Sequence, residues 1–251
     1  MSIRMAIPLL ALLASAPCFA KEVTVGQATL TLTTPDGQCE LDPSQPGDAR
    51  MLNITGGALT GVGNRLLAFY ADCKQLAAWR TGKRPLLEDF SQYQTEIASV
   101  DSPAPPAPED VIKQTCKTLR AEGEKLVSGL APDLKTRIEE AVRGVKVNQT
   151  RFLGVVGEEP GVCYAALAQR IKAETGKDVT IVGLYASTFI KGKIVHYYLY
   201  SPYRSAQTVT ALLARHKRNV AALLSANKKM AQRPRQNDAM SRLASRASTS
   251  R

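Results

Sequence analysis

Two runs of β-branched and aromatic residues, 179–189 and 194–200, are separated by a short polar link that contains Lys191 and Gly192. This pattern predicts a β-hairpin, because glycine supplies the positive φ that a tight turn requires. Both arms carry apolar side chains on both faces, so part of the hairpin is expected to lie in the interior. Pro202 ends the second arm, because proline has no N–H to donate to a strand ladder.

Beyond Pro202 the spacing of apolar residues changes from two to about 3.6, which is typical of an amphipathic helix. The residues on its apolar face are Ala206, Val209, Leu212, Leu213, His216, Val220, Leu223, Leu224 and Asn227. We expect this helix to fold back onto the hairpin, because an apolar helix face and an apolar sheet face bury each other.

The first half of the chain predicts a short series of elements. Residues 22–34 alternate between apolar and polar side chains, which favours a half-buried strand or hairpin. A second strand is predicted over 65–73, a short helix over 74–80 and another strand over 90–100. The glycine-rich segment 51–63 is expected to be irregular.

Residues 101–108 include the run SPAPPAP, which predicts an extended loop or linker because a helix cannot run through it. The elements expected after it are a helix from Glu109 that breaks at 129–132, a second helix over 133–143, a strand over 150–156 and a helix through Cys163, Leu167 and Ile171.

Together these elements predict an α+β fold, in which a largely antiparallel sheet is flanked by helices in an α/β/α sandwich. The opening strand that ends in Pro35-Asp36-Gly37, the tight Lys191-Gly192-Lys193 hairpin with its tyrosine-rich second arm, and the closing helix resemble the PsbP/Mog1-like fold family. The chain also resembles uncharacterised, signal-bearing proteins of proteobacteria. The resemblance covers the two ends of the domain, and it implies a non-enzymatic binding or assembly role without identifying a ligand.

The first twenty residues read as a secretory signal peptide: Arg4 precedes an apolar stretch, and cleavage after Ala20 would leave a small residue at the final position. Cys18 raises the alternative of a lipoprotein, but Pro17 fits poorly where such processing expects a small residue. We therefore predict a periplasmic or secreted protein whose single domain spans residues 21–227. No later segment is long and apolar enough to predict a membrane span.

Residues 228–251 are basic and lack a sustained apolar face, so we expect a disordered tail. Seven Lys or Arg and one Asp give this tail +6 of the total charge of +11. Because Arg4 accounts for a further +1, only +4 remains for residues 21–227. The basic balance therefore predicts contact of the tail with an anionic lipid surface or an envelope protein, and no nucleic-acid groove on the folded domain.

The predicted mature chain contains four cysteines, and an even number in an exported protein favours disulfides. Of the three possible pairings we favour Cys39–Cys73 and Cys116–Cys163, because each joins segments that are near one another in the chain. The alternative is a metal site. Structural zinc sites usually take two ligands from one short turn, whereas no two of these cysteines are closer than 34 residues.

The sequence predicts no catalytic residue, metal or cofactor, since no nucleophile or phosphate-binding motif is present. His196 is interpreted as a hydrogen-bonded strand residue. His216 is interpreted as a packed helix residue whose protonation Arg215 and Lys217 disfavour. The acidic pair Glu158-Glu159 is expected ahead of a helix, where carboxylates are favourable, and the alternative is a paired-carboxylate acid/base role.

The candidate binding face consists of Tyr185, His196, Tyr198, Tyr200 and Tyr203, because tyrosine combines a large apolar body with a polar tip. Burial of these side chains beneath helices is the alternative. Two functions follow: a non-catalytic periplasmic protein that binds or helps to assemble an envelope component, or a small hydrolase or transferase. A cleft that contains His196 and a carboxylate would favour the enzyme.

Overall fold

A computed structural model describes residues 20–141, 146–172, 176 and 178–230. The strands in this part of the chain are β1 (Ala20–Val25), β2 (Ala28–Thr33), β3 (Gln38–Glu40), β4 (Asn64–Asp72), β5 (Phe90–Glu96), β6 (Lys146–Glu159), β7 (Val162–Lys172), β8 (Asp178–Ile190) and β9 (Lys193–Pro202). The helices are α1 (Pro46–Thr60), α2 (Cys73–Arg80), α3 (Pro108–Ala141) and α4 (Ala206–Met230), with a short 3-10 turn at Ile97–Ser99.

Seven strands form one sheet in the order β3-β4-β5-β9-β8-β7-β6, and every neighbouring pair is antiparallel. β1 and β2 form a separate hairpin. Helices cover both faces of the large sheet: on β7, Tyr164 belongs to the core beneath α4, whereas Cys163 belongs to a core with α3. The predicted α+β class with a largely antiparallel sheet is confirmed.

The hairpin predicted around Gly192 is formed by β8 and β9. Ile190 pairs with Lys193, so Lys191 and Gly192 are the two central residues of the turn. Their φ angles are 49° and 78°, and positive values at both positions are those of a type I′ turn. A Cβ at Gly192 would come within 2.6 Å of the Cβ of Ala104, so the connector also packs against this turn.

α4 lies on the sheet as the apolar spacing predicts. Leu212, Val220 and Leu223 are buried against Val195 and Leu199 of β9. At the far end, the Asn227 side chain forms two hydrogen bonds with the backbone of Thr31 in β2, at 2.9 and 2.8 Å. α4 therefore joins the small hairpin to the large sheet.

Both predicted disulfides are present. Cys39 of β3 is bonded to Cys73 at the start of α2, with the two Cα atoms 5.0 Å apart. Cys116 of α3 is bonded to Cys163 of β7, with a Cα separation of 5.5 Å. The first lies at the edge of the sheet, and the second is fully buried and fixes α3 to the sheet.

The expectation that 51–63 is irregular is wrong, because α1 continues to Thr60. Pro46 stands in its first turn, where proline is tolerated. The buried carboxylate of Asp48 forms an ion pair with Arg80 of α2 and accepts a hydrogen bond from the Asp42 N–H. Tertiary contacts at Asp48 thus hold a helix whose glycines have weak helical propensity.

The helix predicted through Cys163 and Ile171 is also wrong, since these residues lie on β7. The predicted break at 129–132 is absent, because α3 is continuous from Pro108 to Ala141. Both halves of α3 are attached to β6: Glu124 accepts a hydrogen bond from the Phe152 N–H at 3.0 Å, and Glu139 accepts one from the Val147 N–H at 2.9 Å.

α4 includes the first three residues of the predicted tail and ends at Met230. The rest of that tail and the predicted signal peptide up to residue 19 lie outside the described residues. Among the described helices, none is long and apolar enough to cross a membrane.

Candidate functional site

The sheet face opposite α4 is partly open. On β5 and β9 alternate residues point to this face, and the ladder places Gln92 opposite Tyr198 and Phe90 opposite Tyr200. α1 packs on β4, and α3 packs on β6 and β7. α1 and α3 lie over strands near opposite edges of this face, so a cleft remains over the middle of the sheet.

The cleft has a volume of about 320 Å³. It is lined by Met51, Ile54, Thr55, Ala58, Leu59, Val62, Asn64, Phe69, Leu86, Leu87, Phe90, Gln92, Gln94, Val127, Thr150, Leu167, Gln169, Ile171, Ile181, Tyr198 and Tyr200. None of these described residues carries a charge. A cavity of this size with apolar walls and a few polar groups has the character of a small-ligand site.

Aromatic rings form much of the floor. Phe90 stacks on Phe69 with ring centroids 5.4 Å apart and on Tyr200 with centroids 4.4 Å apart. A Cβ at Gly183 would come within 2.6 Å of the Tyr200 ring, so the absence of a side chain on β8 lets this ring lie close to the sheet. The floor is therefore a rigid apolar surface.

Three amide side chains form the polar end of the cleft. Asn64 Nδ2 donates to Gln94 Oε1 at 3.4 Å, and Gln94 Nε2 donates to Gln92 Oε1 at 2.8 Å. Gln92 is only 8% exposed, yet its own NH₂ group donates to no described residue. Hydrogen bonds in such a chain polarise one another, which strengthens the Gln92 NH₂ group as a hydrogen-bond donor at the surface of the cleft.

The phenols of Tyr198 and Tyr200 are also uncharged donors. Burial raises the pKa of both hydroxyls well above the ordinary value, so they stay protonated at physiological pH. Neither hydroxyl forms a hydrogen bond with another residue in the described part of the chain. They can bind a polar atom of a ligand, but they cannot supply a charge.

His196 lies next to this floor, at 6% side-chain exposure. Its Nε2 is 3.4 Å from Glu96 Oε1, and its Nδ1 is 3.1 Å from the Tyr185 hydroxyl. The hydrogen bond from His196 lowers the pKa of Glu96, and burial raises the pKa of Tyr185 to about 12. Both ring nitrogens are thus occupied, and the sheet and its neighbours exclude solvent from the imidazole.

His216 is packed as the sequence predicts, but burial rather than the charges of Arg215 and Lys217 lowers its pKa. Arg215 forms an ion pair with Asp89, and Lys217 forms one with Glu159. Burial of the imidazole is the main cause that lowers the pKa of His216 to about 3. The helix histidine is neutral and plays no part in the cleft.

Glu158 and Glu159 lie at the tip of the β6–β7 hairpin rather than ahead of a helix. Glu158 forms an ion pair with Arg120 of α3, at 2.7 Å, and Glu159 forms one with Lys217 of α4, also at 2.7 Å. The two carboxylates therefore pair with helices on opposite faces of the sheet, and neither lines the cleft.

Of the five residues of the candidate face, Tyr198 and Tyr200 line the cleft, and Tyr185 and His196 lie beside them. Tyr203 follows the end of β9, is 45% exposed and does not reach the cleft. The amides of β5 and the wall formed by α1 were not predicted from the sequence. The alternation of Gln92 and Gln94 with buried residues is the signal that could have identified the amides. Among the described residues, no three His, Cys, Asp or Glu side chains are placed to hold a metal ion.

No family model matches the chain, and no curated protein matches it. The Ran-binding protein Mog1p of Saccharomyces cerevisiae is similar at 14% identity, over 84% of this chain and 94% of that one, with a TM-score of 0.32. A mutant of protein Mog1 gives 14% identity, the same coverage and a TM-score of 0.31. Both names agree with the predicted Mog1-like resemblance, but similarity at this level carries no argument about function.

Proposed function

We propose that this protein is an exported, non-catalytic binding protein that takes an uncharged apolar part of an envelope component into the cleft. The observation that carries the proposal is the uncharged lining: aliphatic and aromatic side chains surround a space of about 320 Å³, and only neutral amides and hydroxyls interrupt them. Burial of apolar ligand surface supplies the affinity, and the few polar groups fix its orientation.

The alternative of a small hydrolase or transferase has one observation in its favour, the contact between His196 and Glu96. A general base must reach the proton that it removes. His196 is outside the lining of the cleft, and both of its nitrogens already have partners. This arrangement supports a structural role for the pair and favours the binding function.

Export to the periplasm is part of the same proposal. Cleavage after Ala20 would leave Lys21 as the first residue of β1, so the hairpin would keep five of its six pairs with β2. Two disulfides are compatible with an oxidising compartment. The basic residues 228–251 would hold the protein near anionic lipid headgroups.

The binding function can be tested with N-phenyl-1-naphthylamine, an uncharged probe whose fluorescence rises in apolar surroundings. We expect saturable binding to the wild-type protein. Thr55→Trp should abolish it, because Thr55 lines the cleft and an indole ring would occupy much of its volume. Asn53→Trp is the matched control, since Asn53 lies on the same helix, is exposed and does not line the cleft.

Equal binding to both tryptophan variants would contradict the proposal, as would an absence of binding to the wild type. An assay with a p-nitrophenyl ester tests the alternative. Hydrolysis by the wild type that His196→Gln abolishes would support an enzyme instead.

A further inference from the structure

We infer that the occupant of the cleft is a single acyl chain attached through a neutral ester, and not a free fatty acid. This inference rests on the proposed binding function and names the chemical class of the ligand. Three features support it: the volume of the cleft, the distribution of charge around it, and the Gln92 amide at the cleft surface.

The volume of the cleft favours a single acyl chain. Its space of about 320 Å³ lies at the lower end of the range for small-ligand sites, roughly 300–1,000 Å³, so one chain suits it better than the two chains of a diacyl lipid.

The charge distribution excludes a carboxylate head group. No described residue that lines the cleft is cationic, so a buried carboxylate would be left without a counter-ion, which is costly in an apolar environment. Glu96 lies directly opposite Asn64 in the β4–β5 ladder, at the polar end of the cleft. Its anionic side chain would repel a second carboxylate there.

A neutral ester carbonyl, in contrast to a carboxylate, finds a suitable hydrogen-bond donor in the cleft. Gln92 lines the cleft, and its NH₂ group stands at the end of the Asn64–Gln94–Gln92 chain with no acceptor among the described residues. A ligand that fills the cleft would bury this donor, and a buried donor without an acceptor is unfavourable. An ester carbonyl accepts this hydrogen bond without bringing a charge into the cleft, and its alkyl chain then extends over the rings of Phe90 and Tyr200.

The test is displacement of N-phenyl-1-naphthylamine by 1-decanoylglycerol and by decanoate at pH 8, below their critical micelle concentrations. We expect decanoylglycerol to bind at least tenfold more tightly. In a series of monoacylglycerols from six to fourteen carbons, affinity should rise about fourfold per methylene and level off once the chain fills the cleft. Decanoate that binds as tightly as decanoylglycerol, or affinity that rises without a plateau, would overturn the inference.

Gln92→Leu should weaken binding of decanoylglycerol about fivefold relative to binding of the naphthylamine probe by the same variant. Gln169→Leu is the matched control, because Gln169 also lines the cleft but is not part of the amide chain. If Gln92→Leu fails to fold, the comparison of decanoylglycerol with decanoate on the wild-type protein still tests the inference. Binding of the probe without any preference for the ester contradicts only this inference, whereas failure of both lipids and the probe contradicts the proposed function.

Discussion

His216 provides a sharp test of how α4 is held on the sheet. The side chain is completely buried, its Nε2–H donates to the Tyr197 carbonyl at 3.1 Å, and its ring stacks on the Tyr197 ring with centroids 4.9 Å apart. Its Nδ1 has no hydrogen-bond partner among the described residues, and burial lowers the pKa of the imidazole to about 3. We predict that His216→Phe makes the protein less sensitive to acid.

The sign follows from proton binding. In the unfolded chain the pKa of His216 returns to about 6.5, so below that pH the unfolded state binds a proton that the folded state does not. The free energy of unfolding therefore falls as the pH drops from about 6.5 towards the folded-state pKa. Each pKa unit is worth about 1.4 kcal/mol, so acidification from pH 7.5 to 4.0 should cost about 3 kcal/mol through this residue alone.

Urea unfolding at pH 7.5 and at pH 4.0 measures this cost. Phenylalanine keeps the ring contacts and removes both the hydrogen bond and the unsatisfied nitrogen, so we expect the variant to lie within about 1 kcal/mol of the wild type at pH 7.5. Between the two pH values it should lose about 3 kcal/mol less stability than the wild type. Glu96 and Glu159 titrate in both proteins, so the difference isolates His216. Equal losses would show that burial does not keep this histidine neutral.

Four further predictions concern other parts of the chain. Intact-mass measurement after alkylation should detect no free thiol in the mature protein before reduction; four alkylated cysteines at that stage would contradict the disulfides. Gly192→Val should lower the free energy of unfolding by about 2 kcal/mol or more, because a β-branched side chain is strained at a φ of 78° and would meet Ala104. Gly57→Ala, where a Cβ would meet nothing within 4 Å, should raise it by about 1 kcal/mol. Truncation after Met230 should leave thermal unfolding unchanged and reduce sedimentation with anionic vesicles at low salt; equal sedimentation of both forms would exclude a lipid-binding tail.

The elements that local pattern predicted well are those in which one chemical signal dominates. Gly192 favours the tight hairpin turn between β8 and β9, and the apolar stripe of residues 206–227 favours the helix α4. β7 shows why other elements were missed. Its apolar residues are spaced as in a helix because both faces are covered, with Cys163 and Ala165 on one side and Tyr164 and Ala166 on the other. A strand between two helical layers loses the alternation that identifies a half-exposed one.

The candidate site was predictable only in part for a related reason. The tyrosines of β9 were visible as a cluster, but a cleft requires walls, and the wall from α1 depends on the ion pair between the buried Asp48 and the partly exposed Arg80. These residues are 32 positions apart in the chain, so no local pattern reveals the contact. The polar end likewise depends on the register that brings Asn64 beside Gln94.

The attachment of α3 to β6 also bears on aggregation. β6 is an edge strand, and an edge strand offers backbone groups to which another chain can add. Three irregularities interrupt its ladder, and Glu124 and Glu139 occupy the N–H groups of Phe152 and Val147. α3 thus shields the edge from intermolecular strand pairing. Because the bridge from Cys116 fixes this helix, a reduced protein would lose protection against fibrillar association as well as stability.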